Sequence, residues 1–215
     1  MKNIKQKLAA DPSGYVWNFL RWRRIILNQK VSSLRMRALL ALKGIPVGKK
    51  SCFYGNAYFV RCPQSAIIVG NGCTFDSSKF KNLIGVNRSC TVSTLNSGAE
   101  LRIGNATGFS GVKIGCAQKI TIGNNCLFGA NVLVTDSDWH AIDPLHRSNP
   151  DFISTAPVEI GNNVFIGVNS VILKGSHIGN NSVIGAGSVV SGTIPANVIA
   201  AGNPCRVIRE LKTGN

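Results

Sequence analysis

Between Ile160 and Pro195 the chain reads IGNNVFIGVNSVILKGSHIGNNSVIGAGSVVSGTIP, with an aliphatic residue at every sixth position: Ile160, Ile166, Ile172, Ile178, Ile184 and Val190. Four positions after each stands a small or β-branched residue, namely Val164, Ser170, Ser176, Ser182, Ser188 and Ile194. A period of six fits neither an α-helix nor a hairpin's alternation; it fits short parallel strands that each turn a corner. Three hexads make one triangular coil. Residues 18 apart then stack, Ile160 with Ile178, Ile166 with Ile184 and Ile172 with Val190. Such columns bury apolar surface that a single hexad cannot.

Corners favour residues that tolerate left-handed backbone, and I-G-N-N occurs at Ile122, Ile160 and Ile178, with variants at Val69 and Ile103. Upstream the register continues less regularly through Val69, Ile84, Cys90, Ile103, Phe109, Ile114 and Ile120, then cleanly through Ile122, Phe128 and Val134. Cys73 and Cys126 fall on the inner small-residue position. The expectation is an all-β fold, a parallel β-helix over residues 45–196 of about six or seven coils. A helical segment over 1–44 precedes it and a tail over 197–215 follows.

The next inward position after Val134 is residue 140, where the sequence supplies His140. The stretch that follows, AIDPLHRSNPDFISTAP, has three prolines and no hexad, so a loop over about 140–157 leaves the helix there. An imidazole at such a break suits a general base for a hydroxyl, since its unperturbed pKa lies near working pH. Asp136 and Asp138 precede it in T-D-S-D-W-H, and either carboxylate would orient the ring by accepting its other N–H. Trp139 reads equally as a stacking platform for a ligand and as a packing anchor. Arg147 is expected to pair with Asp143 and hold the loop, His146 to be an exposed spectator, and Glu159 a solvated strand residue. Three scattered histidines, two of them in one loop, do not meet a zinc geometry, so no metal is expected.

The chain's 24 basic residues outnumber its 9 acidic ones, and the excess is uneven. Residues 1–50 hold 12 Lys and Arg against Asp11 alone, 12 − 1 = +11 of the total +15. In YVWNFLRWRRIILNQKVSSLRMRALLAL, from Tyr15 to Leu42, apolar and basic residues interleave as in interfacial helices, which favours an anionic membrane surface over nucleic acid as the partner of residues 1–43. The competing reading is a solvated helix that caps the open end of the β-helix. No run is long enough to span a bilayer and no cleavable signal follows a short apolar core, so the expected location is cytoplasmic, peripheral on the inner face of the membrane where the helix docks. Seven cysteines without a C-x-x-C pair read as reduced core residues.

From about Ile103 to Glu210 the segments I-G-N-A-T-G-F-S-G, H-A-I-D-P-L-H-R, I-G-N-N-V-F-I-G, I-G-A-G-S-V-V and A-G-N-P-C-R-V-I-R resemble the hexapeptide-repeat acetyltransferases. That family includes galactoside and maltose acetyltransferases and the O-acetyltransferases of surface-polysaccharide synthesis, whose Asp-x-Asp-x-His form this chain shares. The resemblance implies a left-handed β-helix, a homotrimer with its active sites between subunits, acetyl-CoA as acyl donor and a sugar or lipid-linked glycan as acceptor. It matches His140 to the catalytic histidine and Asp143, Pro144 and Arg147 to the loop pattern. It assigns the pantetheine contacts to Val168, Gly185, Ala186, Gly187 and Ser191, and the phosphate contacts to Arg206 and Arg209. The galactoside enzymes carry Thr-Lys where this chain has Ser191 and Gly192, so a phosphate contact is missing and Lys174 is the candidate substitute. Ser110 in F-S-G is either a donor to the thioester oxyanion or a plain corner residue. Two other functions remain open, an N-acetyltransferase of a nucleotide-linked amino sugar and a non-catalytic, membrane-docked scaffold.

Overall fold

The computed structural model describes residues 9–211; residues 1–8 of the basic segment and 212–215 of the tail lie outside it. Among the described residues one long helix, α1 (Pro12–Leu42), precedes the strands. Asp11 caps it by accepting from the Gly14 N–H at 2.9 Å, with Pro12 opening the first turn. It ends where Gly44 takes a φ of +65° and the Lys43 and Gly44 amides donate to the Leu39 and Ala41 carbonyls. With 31 residues in a helix the chain is not all-β.

Then the coils begin. β1 (Cys52–Tyr54), β2 (Tyr58–Val60) and β3 (Ala66–Val69) form the first; β4 (Thr74–Asp76), β5 (Thr91–Thr94) and β6 (Glu100–Ile103) the second; β7 (Gly108–Ser110), β8 (Lys113–Cys116) and β9 (Lys119–Ile122) the third. β10 (Leu127–Ala130), β11 (Leu133–Thr135) and β12 (Val158–Ile160) follow, then β13 (Phe165–Ile166), β14 (Val171–Ile172) and β15 (His177–Ile178), then β16 (Val183–Ile184), β17 (Val189–Val190) and β18 (Thr193–Ile194). β19 (Val198–Ala201) starts a seventh turn, and β20 (Arg206–Glu210) folds back antiparallel on it. The β-helix therefore runs five residues past position 196, to Ala201.

Every third strand pairs in parallel, giving three faces: β1-β4-β7-β10-β13-β16-β19 with β20 at its edge, β2-β5-β8-β11-β14-β17, and β3-β6-β9-β12-β15-β18. The stacking expected at 18-residue spacing is present, with Ile160 on Ile178, Ile166 on Ile184 and Ile172 on Val190. On the first face the inward column is aromatic at one end. Phe53, Phe75, Phe109 and Phe128 stack with ring centroids 5.1, 5.0 and 4.7 Å apart, and Ile166, Ile184 and Ala200 continue the column.

The corner between the third and first faces is held by an asparagine ladder. The side-chain carbonyls of Asn105, Asn124, Asn162 and Asn180 each accept the backbone N–H of Asn71, Asn105, Asn124 and Asn162 in turn, at 2.7–2.8 Å. The glycine before each asparagine is required by close approach: a Cβ on Gly104 would lie 2.6 Å from the Gly123 backbone. Asn125, Asn163 and Asn181 then carry the left-handed φ of 57–60°.

The helix closes the first coil. Met36 and Leu40 join the core, the Ser33 hydroxyl accepts the Phe53 N–H at 2.9 Å, and Arg37 donates to the Gly48 and Ser51 carbonyls at 2.9 and 3.0 Å. An edge strand is thereby given partners. The capping reading holds for this half of α1. The side turned away from Ile25, Ser32, Met36 and Leu40 is exposed and interleaves apolar residues, Leu27, Val31 and Leu34 among them, with Arg23 and Lys30. No described helix is long and apolar enough to cross a membrane.

Two segments leave the stack. Residues 136–157 form the expected loop, with short 3-10 turns at Pro144–His146 and Pro150–Phe152 and a neck closed by a Ser137–Thr155 bridge. Residues 77–90 form a second, unexpected one between β4 and β5; Ile84, counted in the inward register, is exposed there. Of the cysteines, Cys73, Cys90, Cys116, Cys126 and Cys205 are buried, Cys52 and Cys62 half-buried, and all are free thiols.

Candidate active site

The corner between the second and third faces carries the loop. Asp136 leaves β11 fully buried, and its carboxylate accepts the backbone N–H groups of Ala117, Gln118 and Lys119, one coil below, at 2.6, 2.8 and 2.7 Å. The expectation that either aspartate orients His140 is thus corrected: Asp136 holds a corner together, and its oxygens are taken by backbone. Burial first, then the Asp136 charge, push the neighbouring Cys116 thiol up from its ordinary value.

Asp138 sits two residues on, and its Oδ2 lies 2.7 Å from Lys174 Nζ, an ion pair by distance without hydrogen-bond geometry. The same ammonium donates to Ser154 Oγ at 2.7 Å. Lys174 therefore ties both ends of the loop neck to the next coil, and any coenzyme phosphate would share its ammonium with Asp138. His140 follows, exposed at the loop root, with no hydrogen bond to its ring among the described residues. Catalytic hydrogen bonds are often absent before substrate binds.

Trp139 has a φ of +64°, which turns the indole back over the stack. Its Nε1 donates to Thr135 Oγ1 at 2.9 Å, and its ring covers Gly115 so closely that a Cβ there would come within 2.8 Å of Cζ2. One ring face is packed; the residue as a whole is half exposed.

Within the loop the expected Asp143–Arg147 pair does not form. Asp143 caps the first 3-10 turn through the Leu145 N–H at 2.9 Å and meets His146 Nδ1 at 2.9 Å, while Arg147 donates to the Ile142 carbonyl at 2.9 Å. The His146 contact, and then the Leu145 amide, hold the Asp143 carboxyl below its usual range. His146 also stacks on Phe152 at 3.9 Å, so it shapes the loop and is no spectator. Glu159 is exposed and lies 3.3 Å from His177 Nδ1.

The corner between the first and second faces carries the other candidates. Ser110 of the third coil, Val168 of the fifth and Gly185, Ala186 and Gly187 of the sixth lie there. The Gly187 N–H donates to the Val168 carbonyl at 2.8 Å, and a Cβ on Gly167 would lie 2.4 Å from the Ala186 N, so bare backbone forms this edge. Ser191 is exposed on the His140 side of the second face, and Arg206 and Arg209 are exposed on β20. Ser110 Oγ accepts from Asn82 of the 77–90 loop at 3.0 Å, a contact the sequence did not signal. Among the described residues no group of three or more His, Cys, Asp or Glu is placed to hold a metal ion.

The pattern of coils is matched by the family model of the bacterial transferase hexapeptide (six repeats) over residues 157–192, and by the hexapeptide repeat of succinyl-transferase over 119–135. Over those two stretches the chain carries the hexapeptide repeat. Galactoside O-acetyltransferase of Escherichia coli K12 is 51% identical over 92 residues, 43% of this hexapeptide-repeat chain and 44% of that protein. A candidate lipopolysaccharide-biosynthesis O-acetyl transferase of the same strain, WbbJ, is 35% identical over 106 residues, 46% of this chain and 54% of that one. The chain thus spans about half the length of the curated relatives it matches. A solved galactoside acetyltransferase in complex with coenzyme A superposes with a TM-score of 0.55 and 26% identity, covering 99% of this chain and 92% of that one. A hexapeptide-repeat acetyltransferase of Vibrio cholerae complexed with acetyl coenzyme A gives 0.57 at 23% identity, over 90% and 86%. These likenesses in fold make the parallel coils a left-handed β-helix.

Replacing Asp136 by Ala is expected to leave three backbone amides without their partner, the buried one of Ala117 among them, and to lower unfolding free energy by about 3 kcal/mol, read by chemical denaturation. Unchanged stability would show that water or another acceptor serves this corner.

Proposed function

We propose that this chain transfers the acetyl group of acetyl-CoA to a sugar hydroxyl, in the synthesis of a capsule, lipopolysaccharide or exopolysaccharide. The observation that carries the reading is His140 at the root of the loop that interrupts the clean repeat, in a chain 51% identical over 92 residues to an O-acetyltransferase. The imidazole takes the proton of the acceptor hydroxyl as its oxygen attacks the thioester carbonyl. The tetrahedral oxyanion is held by N–H or O–H donors, Ser110 Oγ among them. Its collapse breaks the C–S bond, and the coenzyme A sulfur leaves with the proton that His140 had taken. Asp138, two residues before His140, is the carboxylate left to orient the ring.

The acyl donor is assigned to the bare-backbone edge of Val168 and Gly185 to Gly187, with Ser191, Arg206 and Arg209 as further contacts. That edge and the His140 edge lie on opposite sides of the second face, on the order of 10–13 Å apart for a strand of three or four residues. Support for a homotrimer with shared sites comes from this separation: the His140 edge of one copy meets the backbone edge of the next. The exposed apolar residues of α1, interleaved with Arg23 and Lys30 and with no acidic residue in the helix, support docking on the anionic inner face of the cytoplasmic membrane, where a lipid-linked glycan is presented.

His140→Ala is expected to lose about 10²- to 10⁴-fold in turnover, with coenzyme A affinity and melting temperature preserved, while His177→Ala on the third face keeps normal turnover. Near-normal turnover of His140→Ala on a hydroxyl acceptor would overturn the base assignment. Co-expression of His140→Ala with Ala186→Trp should restore part of the activity that each lacks alone, since a mixed trimer contains one intact pair of edges. Mixed particles no more active than their parents would remove the shared site. Intact protein should co-sediment with phosphatidylglycerol vesicles and not with phosphatidylcholine ones, and Leu27→Asp with Leu34→Asp should abolish this; equal sedimentation with both lipids argues that the helix only caps.

A further inference from the structure

The transfer chemistry above makes no use of the cleft between α1 and the 77–90 loop. A cavity of about 260 Å³ opens there, lined by Arg21, Arg24 and Asn28 of α1, Tyr54 of β1, and Lys79 and Phe80 of the loop. A second cavity of about 340 Å³ shares Asn28, Lys79 and Phe80 with the first and ends at Arg88. None of the described lining residues of either is acidic.

The cations around the cleft are not equivalent. Lys81 is met by Asp76 at 3.1 Å, and Arg21 donates to the Phe80 and Lys81 carbonyls at 3.1 and 3.4 Å, fastening the loop to the helix. Arg24 and Lys79 have no carboxylate partner among the described residues, yet both lie over the Phe80 ring, 5.1 and 5.3 Å from its centroid. Both cations border the one cleft, and an anion bound there is attracted by each. The ring and Tyr54 give the same cleft an apolar wall. On its far side the loop rests on the corner that holds Ser110, through Asn82 on Ser110 Oγ and Arg88 on the Gly111 and Asn131 carbonyls. Coenzyme A is assigned to later coils and to β20, at the opposite end of the stack.

We infer that this cleft is the anchoring subsite for the diphosphate of an activated sugar acceptor. Arg24 offers paired N–H donors and Lys79 a point charge to the phosphate oxygens. Tyr54 and Phe80 pack against the lipid or nucleoside on the other side of the diphosphate, and the sugar extends toward the Ser110 corner. That last placement rests on the acetyl-transfer reading; the diphosphate site does not.

Calorimetry on the full chain without acetyl-CoA tests it with inorganic pyrophosphate, uridine diphosphate, farnesyl diphosphate and farnesol. At least one organic diphosphate should bind about tenfold more tightly than pyrophosphate, and farnesol should not bind. Whichever of the two binds better identifies a nucleotide or a lipid as the carrier. Arg24→Ala with Lys79→Ala should weaken that binding about tenfold or more and leave coenzyme A affinity unchanged. Lys79→Glu, a reversal at an exposed loop position, does the same without touching α1. The inference is overturned if no diphosphate binds saturably, if Lys79→Glu binds as the parent does, or if coenzyme A affinity falls in parallel. A chain that binds the diphosphate but transfers no acetyl group would overturn the function proposed above and leave the cleft standing.

Discussion

Each coil of a parallel β-helix leaves half of its backbone hydrogen-bonding groups pointing at the coil above and half at the coil below, so no coil is satisfied alone. Everything else in this molecule follows from that dependence. The coils must be in register to within one residue, which fixes the inward columns. The corners must approach closely, which demands glycine at Gly104 and Gly167. The two ends must be covered. α1 covers one with core side chains and with Ser33 and Arg37 as substitutes for a missing strand; β20 covers part of the other.

The same dependence explains what the sequence made legible. The columns could be read because neighbours in space stand 18 residues apart between Ile160 and Val190. The loop at His140 was visible as a failure of that period. The 77–90 loop was not, because Ile84 happens to fall where a hexad allows an aliphatic residue and is nonetheless exposed. An apolar residue carries period information only within a run of hexads, and Leu83, Gly85 and Val86 beside Ile84 form none.

The roles within the site were less legible for a different reason. Asp136 and Asp138 are two residues apart in one motif, yet one serves the backbone of the coil below and the other meets a lysine of the coil above. Which partner a corner residue finds depends on how its coil stacks on Cys116 to Lys119 or on Lys174, far away in sequence. Nothing local marks the difference. Asp143 shows the same limit at shorter range, since His146 and Arg147 both lie within reach along the chain and only the turn decides between them.

The buried cysteines carry a consequence beyond packing. Cys73 and Cys90 belong to the second coil, Cys116 to the third, Cys126 to the fourth and Cys205 to the closing end, and burial raises the pKa of each. A thiol that is both enclosed and protonated is inert toward electrophiles until its surroundings part. The stack thus holds a row of dormant nucleophiles at known heights. Each wakes only when its own storey comes undone, so the molecule keeps a chemical record of where its unravelling started and how far it travelled.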